Sequence, residues 1–132
     1  MPMRELLDAW DAEQKQIETE HGPDALVVPQ TPLPARVTAL RDPVSAEANC
    51  VAVAHHFVAF LRSRGVAATA VDGNAAALYP ELDVMSLRRG GAHTWAEVET
   101  DGEVFAVDWT AAQYGLDEFP AIRKISSRRG SS

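Results

Sequence analysis

The chain has 132 residues, 46% of them apolar, enough for a single compact core and consistent with one domain over 1–125. Its formal charge of −7 excludes a phosphate-binding surface: nucleic-acid recognition depends on clustered Lys and Arg, and Arg88, Arg89, Arg128 and Arg129 are too few and too scattered. No apolar run approaches a membrane span, the opening Met1-Pro2-Met3-Arg4-Glu5 is unlike a signal peptide, and a single cysteine excludes an internal disulfide.

Apolar residues at Met3, Leu6, Leu7, Trp10 and Ile17 are separated by acids and amides at helical spacing, predicting a helix over 1–20 with one face on the core. The segment 21–44 holds Pro23, Pro29, Pro32, Pro34 and Pro43. Each proline removes a backbone donor and pushes its predecessor towards extended geometry, so the segment reads as an extended arm wrapping the surface. Ser45 to Arg64 is the strongest helix, Ala-rich, with Ser45 or Asn49 available as cap, Gly65 as stop, and Val53, Phe57, Phe60 and Leu61 as its buried stripe. Cys50 lies on that stripe near the predicted helix start, where free amides and the helix dipole favour a thiolate.

Val66 to Val71 reads as a strand ended by Asp72-Gly73-Asn74, and 75–91 as a short helical piece with a loop. The stretch from His93 to Thr100 and that from Glu103 to Trp109 are two strands joined by Asp101-Gly102, a strong two-residue hairpin signal. With Thr100 opposite Glu103, the register carried back sets Trp95 opposite Asp108 and His93 opposite Thr110 on one face. His93 and Asp108 become diagonal neighbours, about 7 to 8 Å apart at the backbone and within reach of each other's side chains. The tail 126–132 reads as disordered.

Cysteine, histidine and aspartate in that order carry thiolate chemistry. A cysteine nucleophile needs a base to take its proton, and the base needs a third group to hold its ring and tautomer. Cys50 alone also fits a small buried hydrophobe, the commonest fate of a free cysteine; the joint placement of His93 and Asp108 tips the reading towards a site. In that reading the amide of Cys50 supplies one oxyanion donor. Asn49, Gln113 and Trp95 are candidates for oxyanion or substrate contacts, with Gln30 as a further donor and Trp95 as a shield for the imidazole. His55 and His56 point about 100° apart on a helix and cannot chelate together, so no metal is expected. No glycine-rich phosphate loop is present, and no organic cofactor is expected.

Asn49-Cys50 with the helix ending Leu61-Arg62-Ser63-Arg64-Gly65, His93-Thr94-Trp95-Ala96-Glu97-Val98 with Asp101-Gly102, and Val107-Asp108-Trp109-Thr110 together resemble the transglutaminase-like branch of the papain-like fold. The run from Asp108 to Tyr114, followed by Phe119-Pro120, is similar to bacterial papain-fold toxin domains regarded as protein-glutamine deamidases. It departs from them at Tyr114 and Ala112, where phenylalanine and arginine are expected. The likeness covers 45–122, the expected catalytic core.

This resemblance implies an α+β fold in which a catalytic helix at the start of the core packs on a small antiparallel sheet. It implies Cys50 as nucleophile, His93 as base and Asp108 as orienting acid. The implied reaction is deamidation of glutamine in a protein substrate without metal or organic cofactor. For a toxin domain it further implies an immunity protein as partner and a location that is cytoplasmic or reached as part of a larger effector; the charge and the lack of an apolar span argue against nucleic-acid and membrane partners. The same fold hosts peptidases, amide-forming transferases and the leader peptidases of lasso-peptide maturation, so peptide cleavage or acyl transfer by the same three residues stands as the alternative. A catalytically silent module binding a partner protein through its acidic surface is the third reading.

Overall fold

A computed structural model describes residues 3–21, 26–28, 31–33, 43–83 and 87–125. Helix α1 (Met3–His21) precedes a hairpin of β1 (Leu26–Val28) and β2 (Thr31–Leu33), then helix α2 (Pro43–Ser63) and strands β3 (Ala67–Asn74), β4 (Ala92–Thr100), β5 (Glu103–Asp108) and β6 (Ala121–Ile125). The last four form one antiparallel sheet in the order β3-β4-β5-β6, and α2 lies across β3 and β4. The architecture is α+β. No helix among the described residues is long and apolar enough to cross a membrane.

The helix side of the sheet carries the main core. Leu6, Leu7 and Trp10 of α1 and Val53, Phe57 and Leu61 of α2 meet Ala96, Val98 and Val107 of the sheet, all buried. Complete burial of one such large side chain contributes roughly 1.5–3 kcal/mol, so this layer dominates stability. Trp10 is its pivot: its ring lies 4.5 Å from that of Trp109 and 5.4 Å from that of Phe57, and its Nε1–H donates to Nδ1 of buried His56 at 3.1 Å. His56 therefore ties α1 to α2, while His55 is exposed.

Helix α2 starts at Pro43, ahead of the expected Ser45 or Asn49 cap. Proline is tolerated in a first turn because its missing N–H has no helical partner there. Its end follows the sequence signal: Gly65 takes φ +77°, its N–H bonds Arg62 O at 3.0 Å, and the N–H of Val66 bonds Leu61 O at 3.0 Å, closing the last turn. The proline-rich arm contains the β1–β2 hairpin, in which Pro32 stands opposite Val27. A two-stranded pair is all edge, and that is where a strand accepts proline. The rest of the arm and the tail 126–132 lie outside the described residues.

Strand β3 runs through Asp72-Gly73-Asn74 instead of ending there, with Gly73 paired opposite His93. The ladder to β4 carries the strand on, and the glycine in it has a steric use. A Cβ on Gly73 would come within 2.6 Å of Trp95 Cη2, so only glycine lets the indole lie against the strand. Gly73→Ala is expected to cost about 1–3 kcal/mol through overpacking, seen as a lower urea midpoint with an unchanged slope. At the other hairpin Asp101 and Gly102 have φ of 54° and 77°, the two left-handed residues that an Asp-Gly turn of two residues requires.

Candidate active site

The β4–β5 ladder follows the expected register from Thr100↔Glu103 to Ala96↔Val107 and stops there. The continuation, with Trp95 opposite Asp108 and His93 opposite Thr110, does not form. β4 stays paired to β3 as far as Asn74↔Ala92, and β5 to β6 as far as Asp108↔Ala121, so the two central strands part at the end that carries His93 and Asp108. The parting has a local cause. Asp108 folds back on the chain, with Oδ1 accepting from the N–H of Thr110 at 2.9 Å and from its hydroxyl at 3.0 Å, and the backbone turns into a 3-10 turn at Ala111–Tyr114.

This parting brings the three groups together. Val107 and Trp109 belong to the helix-side core, whereas Ala106, Trp95 and Tyr79 belong to a second core on the opposite face. By alternation Asp108 and His93 share that opposite face. Cys50 comes from the helix side and reaches His93 through the gap, a seam too narrow to hold a water molecule, with Cys50 and Val53 on one side and Thr94, Trp95, Asp108 and Thr110 on the other. Cys50 is 5% exposed, His93 4% and Asp108 2%.

His93 Nε2 lies 2.8 Å from Asp108 Oδ2. An ionised carboxylate only accepts, so Nε2 carries the proton, and Nδ1 is the nitrogen left to the Cys50 thiol, with which the ring hydrogen-bonds. The carboxylate is saturated: Oδ2 also accepts from the Tyr79 hydroxyl at 2.6 Å, and Oδ1 has its two bonds from Thr110.

Burial works against every charge here, and the neighbours outweigh it. The His93 ring is held up at about 9 by its bonds to Asp108 and Cys50. Asp108 is held below its ordinary 3.8 by His93, Tyr79 and the Thr110 amide. The Cys50 thiol is brought below its ordinary 9.0 by the His93 ring and the Thr94 N–H. A thiol lowered beside an imidazole raised is the electrostatic signature of a thiolate–imidazolium pair.

The source of that stabilisation differs from the one expected. Cys50 is the eighth residue of α2, counting from Pro43, past the first turn where free amides and the dipole act. Its amide sits within the helical ladder and is not available as an oxyanion donor. Of the other candidates, Gln113 places Nε2 3.4 Å from His93 Nδ1 while donating to Thr110 O at 3.1 Å. Trp95 packs beside the imidazole at 5.9 Å between centroids, and its buried Nε1–H has no hydrogen bond among the described residues. Asn49 is buried on α2, and Gln30 lies outside the described residues.

Three contributors escaped the sequence reading. Thr110 was legible as the third residue of an Asp-x-Thr turn. Thr94 and Tyr79 had no local signal; Tyr79 sits after the 3-10 turn Ala75–Ala77, in a stretch read only as helix and loop. Among the described residues no group of three or more His, Cys, Asp or Glu side chains is arranged to hold a metal ion.

A thiol on a helix laid across an antiparallel sheet, with an imidazole and a carboxylate on neighbouring strands, defines a protein of the papain-like class. A family model described as the transglutaminase-like superfamily matches residues 28–111. The chain belongs to that superfamily, whose members are generally cysteine-based hydrolases or acyltransferases. No curated protein and no solved structure matches it.

Proposed function

We propose that the protein hydrolyses the side-chain amide of glutamine in a protein substrate, with Cys50 as nucleophile, His93 as proton carrier and Asp108 as the anchor of the ring. The observation that carries this reading is the contact between the Cys50 thiol and a His93 ring whose far nitrogen is fixed on a saturated carboxylate. The thiolate adds to the amide carbon, and the imidazolium gives its proton to the departing nitrogen, releasing ammonia and leaving a thioester. Water then loses a proton to His93 as it attacks the thioester, and collapse frees glutamate and restores the thiolate–imidazolium pair. Trp95 Nε1–H, buried beside the imidazole and without a hydrogen bond among the described residues, is the donor assigned to the developing oxyanion.

One observation favours a side-chain amide over a peptide bond. The run from Asp108 to Tyr114 is similar to that of papain-fold toxin domains, and a toxin role carries with it an immunity protein as partner and delivery within a larger effector. Intact mass of candidate substrates tests the reaction: deamidation adds about one dalton and leaves the chain whole. Fragments would establish a peptidase instead, and cross-linked or amine-adducted products an acyltransferase.

A further inference from the structure

We infer that Tyr79 is a positioning residue of this site, acting through Asp108 to set the charge balance between His93 and Cys50. Its hydroxyl donates to Asp108 Oδ2 at 2.6 Å, and that same oxygen accepts from His93 Nε2 at 2.8 Å. The two donors therefore compete for one oxygen. Tyr79 is fully buried, and its ring lies 5.9 Å from that of Tyr114 and beneath the Arg123 guanidinium, 5.0 Å from its centroid. Arg123 is in turn held by two 2.8 Å bonds to the carboxylate of Glu118. A phenol fixed this closely has one orientation for its proton.

The direction of the effect follows from the other oxygen. Oδ1 is anchored by both the amide and the hydroxyl of Thr110, so the carboxylate keeps its orientation when the phenol is removed. What is lost is a donor that draws charge from Oδ2. With that donor gone, the oxygen accepts more strongly from Nε2–H, the imidazolium becomes more stable, and Cys50 ionises at lower pH. Tyr79 thus restrains the pair, keeping His93 able to surrender its proton to a leaving group. The charged and titratable groups around this unit are Asp108, His93 and Cys50 within it, Tyr114, whose ring lies 5.2 Å from that of His93, and Arg123, Glu118 and Glu81 on the side of the phenol.

This inference rests on Cys50 being a thiolate nucleophile, and the test separates the two. Alkylation of Cys50 by iodoacetamide is followed against pH in the wild type and in Tyr79→Phe. The acid limb, where the thiolate forms, is expected to move down by about half a pH unit or more in the variant. A limb that stays in place or moves up, in a variant that is merely less stable to heat, overturns the role of Tyr79 alone. A wild-type thiol that titrates like a free cysteine overturns both readings. Should Tyr79→Phe fail to fold, 3-fluorotyrosine at position 79 decides: its more acidic phenol donates more strongly to Asp108 Oδ2, so the acid limb is expected to move up. A limb that stays in place or moves down overturns the role of Tyr79.

Discussion

Asp108→Asn is expected to lower stability by about 3–5 kcal/mol, although the substitution changes almost no volume. Four donors converge on the carboxylate: the Tyr79 hydroxyl, His93 Nε2–H, and the amide and hydroxyl of Thr110. An asparagine presents one acceptor oxygen and one NH2, so two of those donors face another donor in a site where water does not compensate. The pH dependence should change as well. Asp108 is depressed below 3.8 in the fold, so the stability it contributes is full above that value and is lost as pH falls through the depressed one. His93 is raised from 6.5 to about 9, so its contribution is full below 6.5 and is lost as pH rises through 9. The variant should lack the acid loss due to this group and begin its alkaline loss at lower pH, because the imidazolium has no carboxylate. Urea midpoints measured from about pH 3 to 10 check both limbs, and parallel curves for variant and wild type would contradict the electrostatic account.

His93→Ala should reduce amide hydrolysis by about 10²–10⁴-fold, the usual contribution of a positioned acid–base group. It should also return Cys50 to the behaviour of a simple thiol. In the wild type the thiol is lowered chiefly by the His93 ring, so alkylation should already be fast well below the ordinary thiol range of about 8.5. Without the ring only the Thr94 N–H remains to oppose burial, and the limb should move up to that range or beyond. Mass spectrometry of iodoacetamide-treated protein across pH reads this directly, with circular dichroism to establish that the variant is folded. Slow alkylation of the wild type, unchanged by His93→Ala, would leave Cys50 a packing residue and remove the basis of the proposed function.

Much of the fold was legible because its signals are local. The spacing of Leu6, Leu7 and Trp10 marks one face of α1, and all three are buried. Gly65 ends α2, and Asp101-Gly102 makes the hairpin whose register runs from Thr100↔Glu103 to Ala96↔Val107. Other elements had weaker signals. Strand β6, Ala-Ile-Arg-Lys-Ile, is short and mixed in character, and its identity as a strand comes from pairing with β5. The passage of β3 through Gly73 reads locally as a turn and becomes strand through its pairing with β4, Gly73 opposite His93, while the Trp95 indole takes the space a side chain there would fill.

Periodicity, capping and turn chemistry act over a few residues and are written in the chain, so they specify which chemical groups are present, on which elements they ride, and that a hairpin brings His93 and Asp108 near one another. Long-range packing set where β4 and β5 part and brought the sulfur to the imidazole through that opening. It also decided that a phenol from a distant turn completes the shell of the carboxylate, and that the thiol is lowered by the ring and not by a helix end. Those outcomes depend on which atoms from separate segments share a desolvated space, where charges and hydrogen bonds are strongest, and that sharing is set by packing and not by neighbouring residues.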